Sequence, residues 1–167
     1  MQYTEDPSGY WALRAGDLAE AERRANTTLA LVPGSTESLI TLGEIALERG
    51  DASRAAAAFR SALRRQPDHV DSLLLSAVAA GRLGQPGPGI DALNRALRSG
   101  SVGRRDTVLF RVLELVGELR ERPAAQQPLC LLAHLHRYLR IFDEGHATTA
   151  MDYARRAIQA NDRPADA

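Results

Sequence analysis

The 167-residue chain carries 21 acidic and 21 basic side chains, 44% apolar residues and only 5% aromatics, the profile of a folded, water-soluble domain and not of a disordered segment. Every one of the 21 basic residues is arginine. Chemistry that needs a lysine amine is therefore excluded, which removes phosphate-loop NTPases, protein kinases and Schiff-base enzymes.

One cysteine, Cys130, excludes an intramolecular disulfide and any Cys-x-x-Cys metal or redox site. The longest apolar stretch, Leu73 to Ala80, is too short to cross a bilayer. The first seven residues hold two acids and no apolar run, so no secretory leader is read there, and a cytoplasmic location is favoured.

In chain order, the sequence matches itself at a spacing of 34 residues. Gly9, Gly43 and Ala77 align, as do Ala12, Ala46 and Ala80. So do Gly16-Asp17, Gly50-Asp51 and Gly84-Gln85, then Ala21, Ala55 and Gly89, with Pro33, Pro67 and Ser101 closing each unit. Units at about 2–35, 36–69 and 70–103 follow. In the middle unit Leu39, Leu42, Gly43 and Ala46 share a face of a first helix, and Ala55, Phe59 and Ala62 share a face of a second. Gly50 ends the first helix in a left-handed conformation, Asp51 caps the second and Pro67 stops it. In the third unit Gly84-Gln-Pro-Gly-Pro-Gly89 delays the second helix to near Gly89, which makes this hairpin the weakest of the three.

Beyond residue 103 the period slips. Residues 104–121 read as one irregular helix with an amphipathic core from Arg105 to Leu119, and the proline-containing segment 122–128 breaks it. The span 127–161 reads as a further hairpin, Leu129 to Phe142 and Thr148 to Ala160 around Gly145, with Ala150, Ala154 and Ala157 as the small-residue face of its second helix. Nine helices are expected in all, as one superhelical domain over 1–167. The helix at 105–119 is an insertion or a degenerate half-repeat. The closing Asn161-Asp-Arg-Pro-Ala-Asp-Ala167 reads as a junction to a further repeat, and hence the chain as a fragment of a longer protein.

The 34-residue pattern resembles the tetratricopeptide repeat, most fully in the middle unit with Leu39-x-x-Leu42-Gly43-x-x-Ala46, Gly50-Asp51, Ala55, Phe59, Ala62 and Pro67. The first unit departs from it with Ala25 where the family prefers an aromatic. The resemblance implies an all-α superhelix of stacked helix-turn-helix hairpins and a non-catalytic scaffold for protein–protein interaction. It also implies that partners bind a concave groove lined by the first helix of each pair.

The residues facing that groove are Tyr10, Glu37, Ile40, Glu44, Glu48, Leu74, Val78 and Arg82, with Tyr3, Asp6, Leu13, Arg14, Leu47, Asp71 and Gly81 at equivalent places. They read as faces the fold does not need. The groove is acidic and apolar, so it suits a basic and apolar partner segment, extended or helical. The carboxylate clamp of some tetratricopeptide co-chaperones, built from Lys, Arg and Asn, has no counterpart in these residues. Trp11, at the position of Ile45, is expected to cover the N-terminal edge. The alternative function is a regulatory or targeting domain of a larger enzyme or envelope assembly.

No other constellation asks for chemistry. His134 and His136, two apart on a helix, point to nearly opposite faces and cannot share a metal. Asp68, His69 and Asp71 fall at a repeat junction where Asp commonly caps a helix, with no nucleophile motif beside them. The arginine pairs at 64–65, 104–105 and 155–156 are interleaved with acids, so no nucleic-acid footprint is read. No metal, cofactor or catalytic residue is expected, and no membrane insertion.

Overall fold

A computed structural model describes residues 6–101, 103 and 105–160. Among them are nine α-helices and no strand: α1 Tyr10–Arg14, α2 Leu18–Leu31, α3 Thr36–Glu48, α4 Ala52–Arg65, α5 Val70–Arg82, α6 Pro86–Ser99, α7 Asp106–Arg120, α8 Leu129–Leu139 and α9 Gly145–Ala160. A short 3-10 turn, Ala124–Gln126, lies between α7 and α8. Tyr3, Arg104 and the closing junction expected at 161–167 lie outside the described residues.

The 34-residue period is written in the turns. Gly16, Gly50 and Gly84 sit at φ of 81°, 76° and 70°, the left-handed region that a side chain with a Cβ resists. The next residue starts the second helix of each pair. The Asp17 carboxylate accepts from the Glu20 amide at 3.0 Å and the Asp51 carboxylate from the Arg54 amide at 2.8 Å, each satisfying a first-turn N–H that has no helical partner.

In the third pair Gln85 makes no side-chain cap, and the helix nonetheless starts at Pro86, not near Gly89. Proline is tolerated there because first-turn amides need no intrahelical acceptor and its φ is already helical. The delay expected from the sequence weighed proline as a helix breaker and ignored its position.

Close helix crossings explain the small residues. A Cβ on Gly43 would stand 2.3 Å from the Phe59 ring, so α3 meets α4 only because Gly43 has none. In the first pair Ala25 occupies the place of Phe59 and is itself fully buried. There α1 is only five residues long, and Gly9 is its left-handed N-cap at φ 77° instead of a residue inside the helix. Trp11 is 50% exposed, whereas Ile45, one period later, is buried with Ala12, Leu13 and Ala21.

The hairpins stack through consecutive pairs: α2 on α3, α4 on α5, and α6 on α8. The first helices α1, α3 and α5 also touch in series and form the inner face of the array. Because α6 meets α8 directly, α7 is not a rung of the stack. It lies across α5, with a smaller contact to α8. In the last hairpin α8 ends at Leu139, short of Phe142, and α9 opens at Gly145 ahead of Thr148. The Asp143 carboxylate accepts from the Gly145 amide at 2.9 Å and so serves the opening of α9.

Candidate functional site

Helix α7 repeats apolar residues on one side at Val108, Val112, Leu115, Val116 and Leu119, spacings that align on one helical face. All five are buried, in one cluster with Ile40, Leu74 and Val78 from α3 and α5. A Cβ on Gly81 would come 2.8 Å from Leu115, so α7 approaches α5 at a glycine. Ends as well as middle are tied. Arg111 pairs with Glu48, and Arg82 pairs with Glu118 at 2.8 Å. At the far end, the Gln127 side chain donates to the carbonyls of Arg120 and Arg122.

Immediately before α7, Arg105 enters a socket on α3. Its Nη1 donates to Glu44 Oε2 at 2.6 Å, and its Nη2 to Glu37 Oε2 at 2.7 Å and to the Glu37 carbonyl at 3.2 Å. Both nitrogens reach the Thr41 hydroxyl at 3.4 Å. The guanidinium also lies 4.5 Å from the centre of the Tyr10 ring. Arg105 is 6% exposed and Glu44 1%, so both charges are withdrawn from water. Burial pushes the Glu44 carboxyl upward against the pull of Arg105. Glu37, half outside the socket, is held down at about 2 by His69 and then by Arg105.

Tyr10, Glu37, Ile40, Glu44, Glu48, Leu74, Val78 and Arg82, the groove residues named first from the sequence, are therefore placed at this junction. Ile40, Glu44, Leu74 and Val78 are buried within the fold, while Glu37, Glu48 and Arg82 hold ion pairs with Arg105, Arg111 and Glu118. Tyr10 stacks on Arg105. The expectation that these faces are dispensable to the fold is overturned, because the chain's own segment uses them. Asp6, another expected groove residue, instead accepts from the Ser8 and Trp11 amides. Open depressions remain at the two ends of α7. One of about 560 Å³ is bounded by Glu37, His69, Asp71 and Arg105, the other of about 490 Å³ by Glu48, Arg82, Arg111 and Glu118.

From the sequence Arg105 was read only as half of an arginine pair and the start of an amphipathic run, and Thr41 was not singled out. The only available signal was the amphipathic pattern after Arg105, since nothing local links that residue to Glu37 and Glu44 more than sixty positions earlier. At the repeat junction the cap is His69 and not an Asp: its Nδ1 accepts from the Ser72 amide at 3.3 Å.

Two of the remaining three histidines, His136 and His146, meet in a second cluster. His136 on α8 is buried, stacks on Tyr153 and places its Nδ1 2.9 Å from Nδ1 of His146, both on α9. Burial, then His146 and Arg120, depress its pKa to about 4. His134 points elsewhere, to the Cys130 carbonyl at 2.8 Å. Among the described residues no three His, Cys, Asp or Glu side chains gather to hold a metal, and no helix is long and apolar enough to cross a membrane.

The architecture defines a protein of stacked helical hairpins with a face lined by first helices. A sequence model of the tetratricopeptide repeat matches residues 9–69 and again 40–104, and the chain belongs to that family. Tetratricopeptide repeats generally mediate protein–protein interaction. No curated protein matches the sequence. Among solved structures, the crystal structure of MamA is similar at 17% identity, covering 95% of this chain and 94% of that one, with a TM-score of 0.49.

Proposed function

We propose that this chain is a non-catalytic scaffold whose inner face holds a basic and apolar segment of a partner protein. The observation that carries the reading is the match between that face and what lies on it. Carboxylates at Glu37, Glu44 and Glu48 surround apolar Ile40, Leu74 and Val78, and the segment seated there brings Arg105 and Arg111 with a row of Val and Leu. Charge complementarity of this kind sets which partners are accepted and how fast they arrive.

Affinity capture with the intact chain, compared with a Glu48→Arg variant, tests the proposal. Glu48 is exposed and pairs with Arg111, so reversing its charge leaves the buried Glu44 in place and removes one contact from the resident segment and from a basic partner alike. A partner that binds through the inner face is captured less well by the variant, and its binding to the parent weakens as salt is raised. Partners held equally by both chains would move the working surface to the outer face or to the α8–α9 hairpin.

A further inference from the structure

Helix α7 has the contacts of a ligand. The hairpin stack is continuous without it, because α6 passes directly to α8 as α4 passes to α5. Its one buried face meets the inner surface, and its leading arginine enters a socket with six polar contacts to Glu37, Thr41 and Glu44 and an aromatic ring beneath. Gly100 stands at a left-handed φ before α7, and Pro123 and Pro128 follow it.

The geometry points to a sequence-selective site on the inner face for a partner helix that begins with arginine and carries apolar side chains three, seven, ten and fourteen residues later. Arg105, Val108, Val112, Leu115 and Leu119 set that pattern, and the segment from Arg105 to Arg120 is the resident occupant that the partner displaces. This rests on the scaffold reading above and adds the code of the partner.

Arginine is required for physical reasons. The socket offers two carboxylates and a carbonyl in different directions and a ring face below, which a planar five-donor guanidinium satisfies and a compact ammonium does not. Glu44 is buried, so an occupant that brings no cation leaves a carboxylate without compensation and is rejected. Displacement by a matching helix exchanges like contacts for like. Simple departure of α7 exposes Ile40, Leu74 and Val78 to water.

The test uses a fluorescent peptide of residues 103–120 and the full-length chain, read by anisotropy. In a loosened chain, Arg105→Gln with Val112→Ser, the resident segment loses two anchors, and the peptide should bind at least tenfold more tightly than to the parent. The Arg→Gln peptide should bind the loosened chain at least tenfold more weakly than the native peptide, with the Arg→Lys peptide between them.

Equal binding of the arginine and glutamine peptides, or no gain on loosening, overturns the proposal, as does a loosened chain that only exchanges its segment with a second copy. If circular dichroism shows that the loosened chain has lost more than one helix, the parent chain decides. With peptide at millimolar concentration, hydrogen exchange in α7 should accelerate while α3 and α5 stay protected, and unchanged exchange in α7 overturns it. A protein captured through the inner face that has no such helix refutes this code and leaves the scaffold reading standing.

Discussion

Gly43 and Gly50 lie seven residues apart and are glycine for different reasons. At Gly43 the backbone is helical and the obstacle is the Phe59 ring, 2.3 Å from where a Cβ would sit. At Gly50 no atom lies within 4 Å of that place, and the obstacle is its φ of 76°. Gly43→Ala is expected to cost about 1–3 kcal/mol by overpacking. Gly50→Val should cost roughly 1 kcal/mol or more by strain, and Gly50→Asn much less because Asn tolerates the left-handed region. Chemical denaturation of the three variants checks this ordering; equal losses from Val and Asn at position 50 would contradict it. His136 supplies a pH dependence at the same scale. Its pKa falls from an ordinary 6.5 to about 4 in the fold, so the unfolded chain takes up its proton first as pH drops. Stability is therefore full above about 6.5 and is lost progressively as pH falls toward 4. His136→Phe should flatten that part of a melting-temperature profile, and a slope that persists unchanged would place its origin elsewhere.

At the scale of elements, α7 is held by interactions of very different worth. Arg105→Ala strands a buried Glu44 and should destabilise the chain by about 3–5 kcal/mol, whereas removing Arg23, which meets Glu20 on the exposed face of α2, should leave the melting temperature unmoved. Similar melting temperatures for the two variants would show that the socket is not a buried ion pair. This contrast also marks what the sequence disclosed. The hairpins were legible because glycine, aspartate and proline recur with the period, and each acts on its own few residues of backbone. The amphipathic run from Arg105 to Leu119 was legible for the same reason, within one residue of α7 at each end. Its destination was not. The acidic and apolar character of the inner face and the basic and apolar character of the occupant were both written locally, but joining them requires contacts across more than sixty residues, for which periodicity carries no signal. Pro86 shows the converse error, in which residue type was read correctly and its position in the first turn was not.

Over the whole molecule, a stack of repeats in which each unit touches only its neighbours unfolds as a nearly one-dimensional array. Helix α7 departs from that rule, because it lies on α5, reaches α3 through Arg105 and Arg111, and meets α8. Leu115→Ala, which empties the contact over Gly81, should cost about 2–5 kcal/mol. It should also lower amide protection in α3, α5 and α8 together, as measured by native-state hydrogen exchange. Loss confined to α7 would show that the helix is bound to the array without bracing it.

The short link from Gly100 to Arg105 joins α7 covalently to the surface it covers. A tethered occupant acts as if present at an effective concentration of about millimolar, whatever the amount of protein in the cell. A free helix of equal intrinsic affinity at micromolar concentration would fill about one site in a thousand. The inner face thus has a built-in threshold: weak and incidental helices are screened out, and a partner gains entry only by binding more tightly than the resident segment or by arriving tethered to the scaffold through a second contact.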